Sequence, residues 1–185
     1  MTGFRRTGER VVHEGMIWRV VEATFVDPAG RPFTRDIVRS VGAVGVVPVV
    51  FDAEGAASVI LVRQYRPSLE VEMLEVPAGM RDVPGEEPEE TARRELREEA
   101  GVVADSVVLL SIIHPSPGVT DATTHIYVAT GLRRAAREAQ GPEEEAMTVV
   151  ELPLADAVAL VHDGTITDAK TVVGLLLAET FVGRA

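Results

Sequence analysis

Four glutamates and an arginine crowd one short stretch of the chain: Glu86, then Arg94-Glu95, then Glu98-Glu99. Pro88 suits a first helical position and Gly101 the residue just past a helix end, so the spacing predicts a helix over 88–100. On that helix Glu95 stands three residues from Glu98 and four from Glu99, all on one face. Like charges at these spacings repel by roughly 0.2–0.5 kcal/mol per pair. Glu98 and Glu99 also fall in the last turn, where the helix dipole disfavours anions. Hard cations, held by one or two carboxylates together with a substrate phosphate, would offset both penalties. The competing reading is a solvated face in which Arg93, Arg94 and Arg97 neutralise Glu89, Glu90 and Glu98. Gly79 and Gly101 on either side, and the residue order between them, favour the cation site.

The elements around this helix must hold it against a core. The chain has 185 residues, 46% of them hydrophobic, which suffices for one sizeable domain with an appended element. Residues 9–27 and 33–41, joined through Asp27-Pro28-Ala29-Gly30, predict an N-terminal antiparallel pair. The nearly all-apolar run from Val41 to Phe51 predicts a strand buried on both faces, and Ser58 to Tyr65 a second strand. Residues 71–83 read as irregular. Strands are expected near 106–113, 124–130 and 147–151, a polar loop over 133–142, and helices over 153–163 and 167–181. The order is that of an α+β, αβα-layered architecture, divided into an N-terminal β extension over 1–41 and a main domain over 42–185.

Composition narrows the function. A net charge of -11 argues against binding nucleic acid and makes a phosphorylated substrate plausible only with divalent cations between it and the protein. No apolar run reaches membrane-spanning length, the N-terminus lacks a signal-peptide pattern, and there is no cysteine, so a cytoplasmic protein without a membrane partner is expected. His13, His114, His125 and His162 are scattered, with no paired spacing for zinc. Ser116 has no nucleophile-elbow context. Arg66, ahead of Pro67, either reaches a phosphate or makes an ordinary surface ion pair. Trp18 and Tyr65 either stack on a base or pack in the core.

From Gly79 to Val102 the chain resembles the Nudix hydrolase family, whose box runs Gly, five residues, Glu, seven residues, Arg-Glu-apolar-x-Glu-Glu-x-Gly-apolar. Here six residues separate Gly79 from Glu86, the extra one lying in the turn Asp82-Val83-Pro84-Gly85; every later position matches. The resemblance implies an αβα sandwich, with a mixed sheet between helices and an N-terminal antiparallel extension. It also implies hydrolysis of a nucleoside diphosphate linked to another group, with magnesium (Mg2+), or manganese or another divalent cation, as cofactor. Carried over by position, Glu95 and Glu99 are the principal metal ligands, with Glu98 and the Ala78 carbonyl supporting them. Arg94 orients a carboxylate, and Glu86 assists or fixes the loop.

Outside the box, Pro117 in His114-Pro115-Ser116-Pro117-Gly118-Val119-Thr120-Asp121 is similar to the ADP-ribose pyrophosphatase group, as are Gln64-Tyr65-Arg66, Leu74-Glu75-Val76-Pro77-Ala78-Gly79 and His125-Ile126-Tyr127-Val128-Ala129. That likeness implies ADP-ribose cleaved to AMP and ribose 5-phosphate, and a homodimer that exchanges its N-terminal strands. It implies substrate contacts from Arg66, Glu75, Ser116, Gly118, Asp121 and Trp18. It also implies a catalytic glutamate in the acidic loop, with Glu143 and Glu145 matching best by position and Glu144 the outsider. Asp121 is followed by Ala122 where the group carries an acid, which puts the distal half of the substrate in question. Two other readings stand: the same chemistry on ADP-sugars, other nucleotide-sugars, NADH or FAD, and a non-catalytic ADP-ribose-sensing module.

Overall fold

The fold, taken from a computed structural model, is described for residues 3–138 and 141–184, with the side chains of Pro142 and Glu143 also left undescribed. The chain divides into two compact units: residues 1–42 with 114–123, and residues 43–113 with 124–185.

In the first unit, strands β1 (Arg5–Glu14), β2 (Trp18–Val26) and β3 (Pro32–Ser40) form an antiparallel sheet in that order. The expected pair is thus three strands. The stretch 9–27 does not run through, because the chain reverses at Gly15, whose N–H donates to the Trp18 carbonyl at 2.8 Å. A β-carbon at Gly15 would fall 2.8 Å from that carbonyl oxygen, so the turn depends on glycine. β1 is exposed along its whole length, Val11 and Val12 included. The 114–123 segment joins this unit through a parallel bridge between Thr120 and Val38.

The second unit is an αβα sandwich. Its sheet runs β10 (Thr148–Pro153), β5 (Ala57–Arg66), β4 (Ala43–Phe51), β9 (Thr124–Arg134), β8 (Val102–Ile113), with β6 (Val71–Glu75) paired to β5 and β7 (Ala78–Met80) to β4. Only β4 and β9 run parallel among these pairs; the rest are antiparallel. β4 explains its own composition. Val44 and Val46 point to one face and Val47 and Val49 to the other, and all four are buried. On the first face lies α1 (Pro88–Ala100), through Ala92, Leu96 and Ala100. On the second lie α3 (Leu154–His162) and α4 (Ala169–Val182), through Leu154, Val158, Leu175 and Ala178. No described helix is long and apolar enough to cross a membrane.

α1 has the predicted bounds. Pro88 occupies its first turn, Glu90 accepts the Glu87 N–H at 3.3 Å, and Gly101 ends it with φ 64°, a left-handed conformation that costs glycine little. Two expectations fail locally. Residues 71–83 contain β6 and β7, strands too short for a clear alternation. The acidic stretch after Gly141 is a one-turn helix, α2 (Pro142–Ala146), rather than a loop, because proline at the first position pre-sets its φ.

Leu96 ties α1 to the sheet with no exposed surface. Leu96→Ala should cost about 2–5 kcal/mol in a urea unfolding titration. A loss below about 1 kcal/mol would mean that α1 is not anchored in this way.

Candidate active site

The face of α1 beside β7 carries the carboxylates, and the structure buries them. Glu95, Glu98 and Glu99 are 4%, 5% and 3% exposed, which rules out the solvated-face reading. Position decides this: Leu96 and Ala92 draw the helix onto the sheet, and the residues on either side of that apolar stripe follow it down. β7 meets the helix at close range. The Ala78 N–H donates to Glu99 Oε2 at 2.8 Å. A β-carbon at Gly79 would overlap the Glu95 carboxylate, so glycine there is required by the approach.

Arg94 gathers this side of the cluster. Its Nη1 donates to Glu95 Oε1 at 2.7 Å and Glu98 Oε2 at 2.9 Å, while Nε donates to Glu86 Oε1 at 3.2 Å. Glu86 also accepts from Thr91 Oγ1 at 2.8 Å, so it pins the loop that enters the helix. Arg94 and Thr91 hold the Glu86 carboxyl below its ordinary range. One guanidinium is not enough for the rest. Burial pushes Glu95 up to about 7, with Glu98 and Glu144 adding repulsion that Arg94 only partly offsets. Burial likewise pushes Glu99 up to about 8, against the Ala78 hydrogen bond and with further repulsion from Glu95 and Glu144.

These carboxylates line a cleft of about 390 Å³ with Gln64, Arg66, Ala78 and Glu144. The other wall is cationic. Arg66, near the end of β5, donates from Nε and Nη2 to the two oxygens of Glu75 at 2.7 and 2.6 Å. Glu75 is 1% exposed and also accepts from Lys170 of α4, so it faces these two cations rather than the cleft. Burial works to raise the Glu75 carboxyl, yet Arg66 and Lys170 bring it below its ordinary range. The ion pair of Arg66 is therefore with a buried partner, and the arginine lies in the cleft as well. Gln64, 6% exposed, has an Nε2 donor with no partner among the described residues.

The donor set facing the cation wall is all oxygen, buried, and short of positive charge, which fits a hard divalent cation. Among the described residues no three acidic or histidine side chains stand in finished ligand geometry, since Glu95 and Glu98 are both turned onto Arg94.

The remaining expected site residues divide. The Glu143 side chain lies outside the described residues. Glu145 is exposed and does not line the cleft, whereas Glu144 does. The ranking by position put Glu144 last because it treated the segment as a loop; Gly141-Pro142 before the glutamates is the signal of a helix start. Trp18, Ser116, Gly118 and Asp121 belong to the first unit. Trp18 is 44% exposed and lines a 430 Å³ cleft there with Arg39 and Asp121, so it is not a core aromatic. Asp121 accepts from Arg39 Nη1 at 2.9 Å and the Ser40 N–H at 3.3 Å. Gly118 and His114 line a second cleft of that unit, of 580 Å³, beside Phe25, Phe33 and Arg35. Lys170 and Gln64 carried no role in the sequence reading; Lys170 engages Glu75, a partner distant in the chain, and Gln64 is marked only by its burial in the cleft.

Raised carboxyl groups destabilise the fold once they must ionise. The folded protein holds protons that the unfolded chain releases above about pH 4.3, so stability falls as pH rises until both groups have ionised. Metal-free protein should lose on the order of a few kcal/mol between pH 5 and pH 8.5, followed by thermal unfolding, and millimolar Mg2+ should flatten the slope. A metal-free melting temperature that rises across this window would contradict the burial of Glu95 and Glu99.

Comparison with known proteins places this cleft in context. The ADP-ribose pyrophosphatase of Mycobacterium tuberculosis is 35% identical over 173 residues, covering 94% of this chain and 82% of that protein. The ADP-ribose pyrophosphatase of Bacillus subtilis is 38% identical over 144 residues, covering 78% and 75%. The crystal structure of an ADP compounds hydrolase superposes with a TM-score of 0.83 at 26% identity, over 98% of this chain and 95% of that one. The family model of the NUDIX domain matches residues 40–173, a span that contains the sandwich sheet, α1 with its buried carboxylates, and the Glu144 helix; the chain belongs to the Nudix family.

Proposed function

We propose that the protein is a magnesium-dependent ADP-ribose pyrophosphatase, releasing AMP and ribose 5-phosphate. One observation carries this reading: a single cleft sets buried carboxylates short of positive charge against an arginine and an unpaired buried amide donor. The first wall suits a divalent cation and the second a phosphate, and a diphosphate bound to Mg2+ satisfies both at once. The names of the two bacterial relatives support ADP-ribose as the substrate.

Glu95, Glu99 and the Ala78 carbonyl would hold the cation, with Glu98 beside them. Bound there, it supplies positive charge to the diphosphate oxygens and lowers the pKa of water. Arg66 and Gln64 orient the phosphates by donating to their oxygens. Arg94 keeps Glu95 and Glu98 in place. Glu144 takes the proton from the attacking water. The water oxygen bonds to one phosphorus, the bridging P–O bond breaks, and the electron pair leaves on the departing phosphate. Trp18, Ser116, Gly118 and Asp121 are assigned to substrate by resemblance. The protein acts as a homodimer; ten exposed residues of β1, with Val11, Val12, Ile17 and Trp18 open to solvent, support pairing of this unit with a second copy.

A substrate panel with Mg2+, scored by AMP and sugar-phosphate release, tests the assignment. ADP-ribose should rank at or near the top, ahead of ADP-sugars, other nucleotide-sugars, NADH and FAD. Its place among the poorest would overturn the substrate, and binding without turnover would make the protein a sensor. Glu95→Gln and Glu99→Gln should each lower kcat at least about 100-fold while staying folded. Glu144→Gln should lose about 10²- to 10⁴-fold, and the larger loss should fall on it rather than on Glu145→Gln. A monomer mass at micromolar concentration would refute the dimer.

A further inference from the structure

Arg66 is aimed at the cleft by something outside it. Its guanidinium presents Nε and Nη2 to both oxygens of Glu75, leaving Nη1 without a partner among the described residues. Such a fork fixes the plane of an arginine only if the carboxylate is itself fixed. Glu75 is also held by Lys170, whose Nζ donates to Oε2, the oxygen that Arg66 Nη2 engages, and to Asp168 Oδ2, the latter at 3.0 Å.

Asp168 is no loose anchor. It caps α4, accepting the Thr171 N–H at 3.0 Å and the Thr171 hydroxyl at 2.6 Å. The Thr171 hydroxyl, fully buried, in turn accepts the Val76 N–H at 3.0 Å. The first turn of α4 thus grips Glu75 by its side chain and Val76 by its backbone. The stem of Lys170 passes over Gly45 of β4, where a β-carbon would meet its Cδ at 3.6 Å.

We propose that Lys170 is a positioning residue of the reaction, acting through Glu75 to set the Arg66 guanidinium against the diphosphate. This rests on the diphosphate-hydrolase reading above. Lys170 is not among the residues that line the cleft; it makes the Arg66 fork rigid before substrate arrives, so that binding does not have to order it. A purely structural role for the same ion pair would show in stability alone.

The test is a double-mutant cycle of Lys170→Met, which keeps the stem over Gly45, with Arg66→Lys, which breaks the fork. Readouts are KM and kcat on the nucleoside diphosphate compound that the wild type turns over fastest, affinity for inorganic pyrophosphate with Mg2+ by calorimetry, and melting temperature. Lys170→Met should raise KM and weaken pyrophosphate binding by about tenfold, with kcat changed less, and the double variant should bind no worse than Arg66→Lys alone. Lys170→Arg, which keeps a cation against Glu75, should recover most of the loss and serves as the second variant if the methionine form folds poorly. Additive losses, or a lower melting temperature with KM and pyrophosphate affinity unchanged, would overturn the inference. A wild type that cleaves no nucleoside diphosphate compound would overturn the functional reading instead, and the pyrophosphate cycle would still decide the role of Lys170.

Discussion

Removing three carboxylates of one helix from water is the constraint on which this molecule is organised. Each such group, buried without a partner, would cost several kcal/mol, and for Glu95 and Glu99 the Arg94 guanidinium and the Ala78 amide return only part of that. The surrounding features can be read as responses to that cost. Gly79 lets β7 come close enough to donate from the Ala78 N–H. Arg94 is shared among Glu86, Glu95 and Glu98. On the proposed reading a divalent cation takes up what remains unbalanced, so the cost to folding and the capacity to bind are one quantity.

The opposite wall of the cleft solves the converse problem. A single exposed arginine would bind phosphate but would first have to be ordered. Seating the Arg66 fork on buried Glu75, which Lys170 also engages, ties a flexible cation into the framework, at the price of a second charge pair. Both walls therefore place charge where it is costly in the absence of substrate. Catalytic sites commonly hold such electrostatic preorganisation in their ground state. The scaffold that tolerates it is the strand β4, buried on both faces, from which α1 and α4 are hung on opposite sides.

Much of this was legible in the chain, and unevenly so. α1 could be bounded from Pro88 and Gly101, and the gathering of Glu95, Glu98 and Glu99 on one face from their spacing, because both are local properties. β4 could be recognised because burial on two faces leaves an uninterrupted apolar run. The N-terminal extension was recognisable but miscounted, since the reversal at Gly15 depends on a close approach to the Trp18 carbonyl that no composition signal marks. β6 and β7 escaped because strands of five and three residues carry no periodicity of their own and exist by pairing with β5 and β4. In the cleft, residues within one helix were readable, whereas Glu75 with Lys170 is a contact across 95 positions of chain. Glu144 was placed last among its neighbours for a related reason: its place in the cleft depends on the one-turn helix over 142–146, which the sequence reading took for a loop.

The central claim is that burial makes Glu95 and Glu99 hold protons near neutrality, and that a divalent cation displaces those protons when it binds. Calorimetric titration of the protein with Mg2+ at pH 7, in buffers of different ionisation enthalpy, reads this directly by counting the protons released per cation bound. The account predicts release of about one proton or more, diminishing toward pH 9. Binding of Mg2+ at pH 7 with no proton release would contradict it.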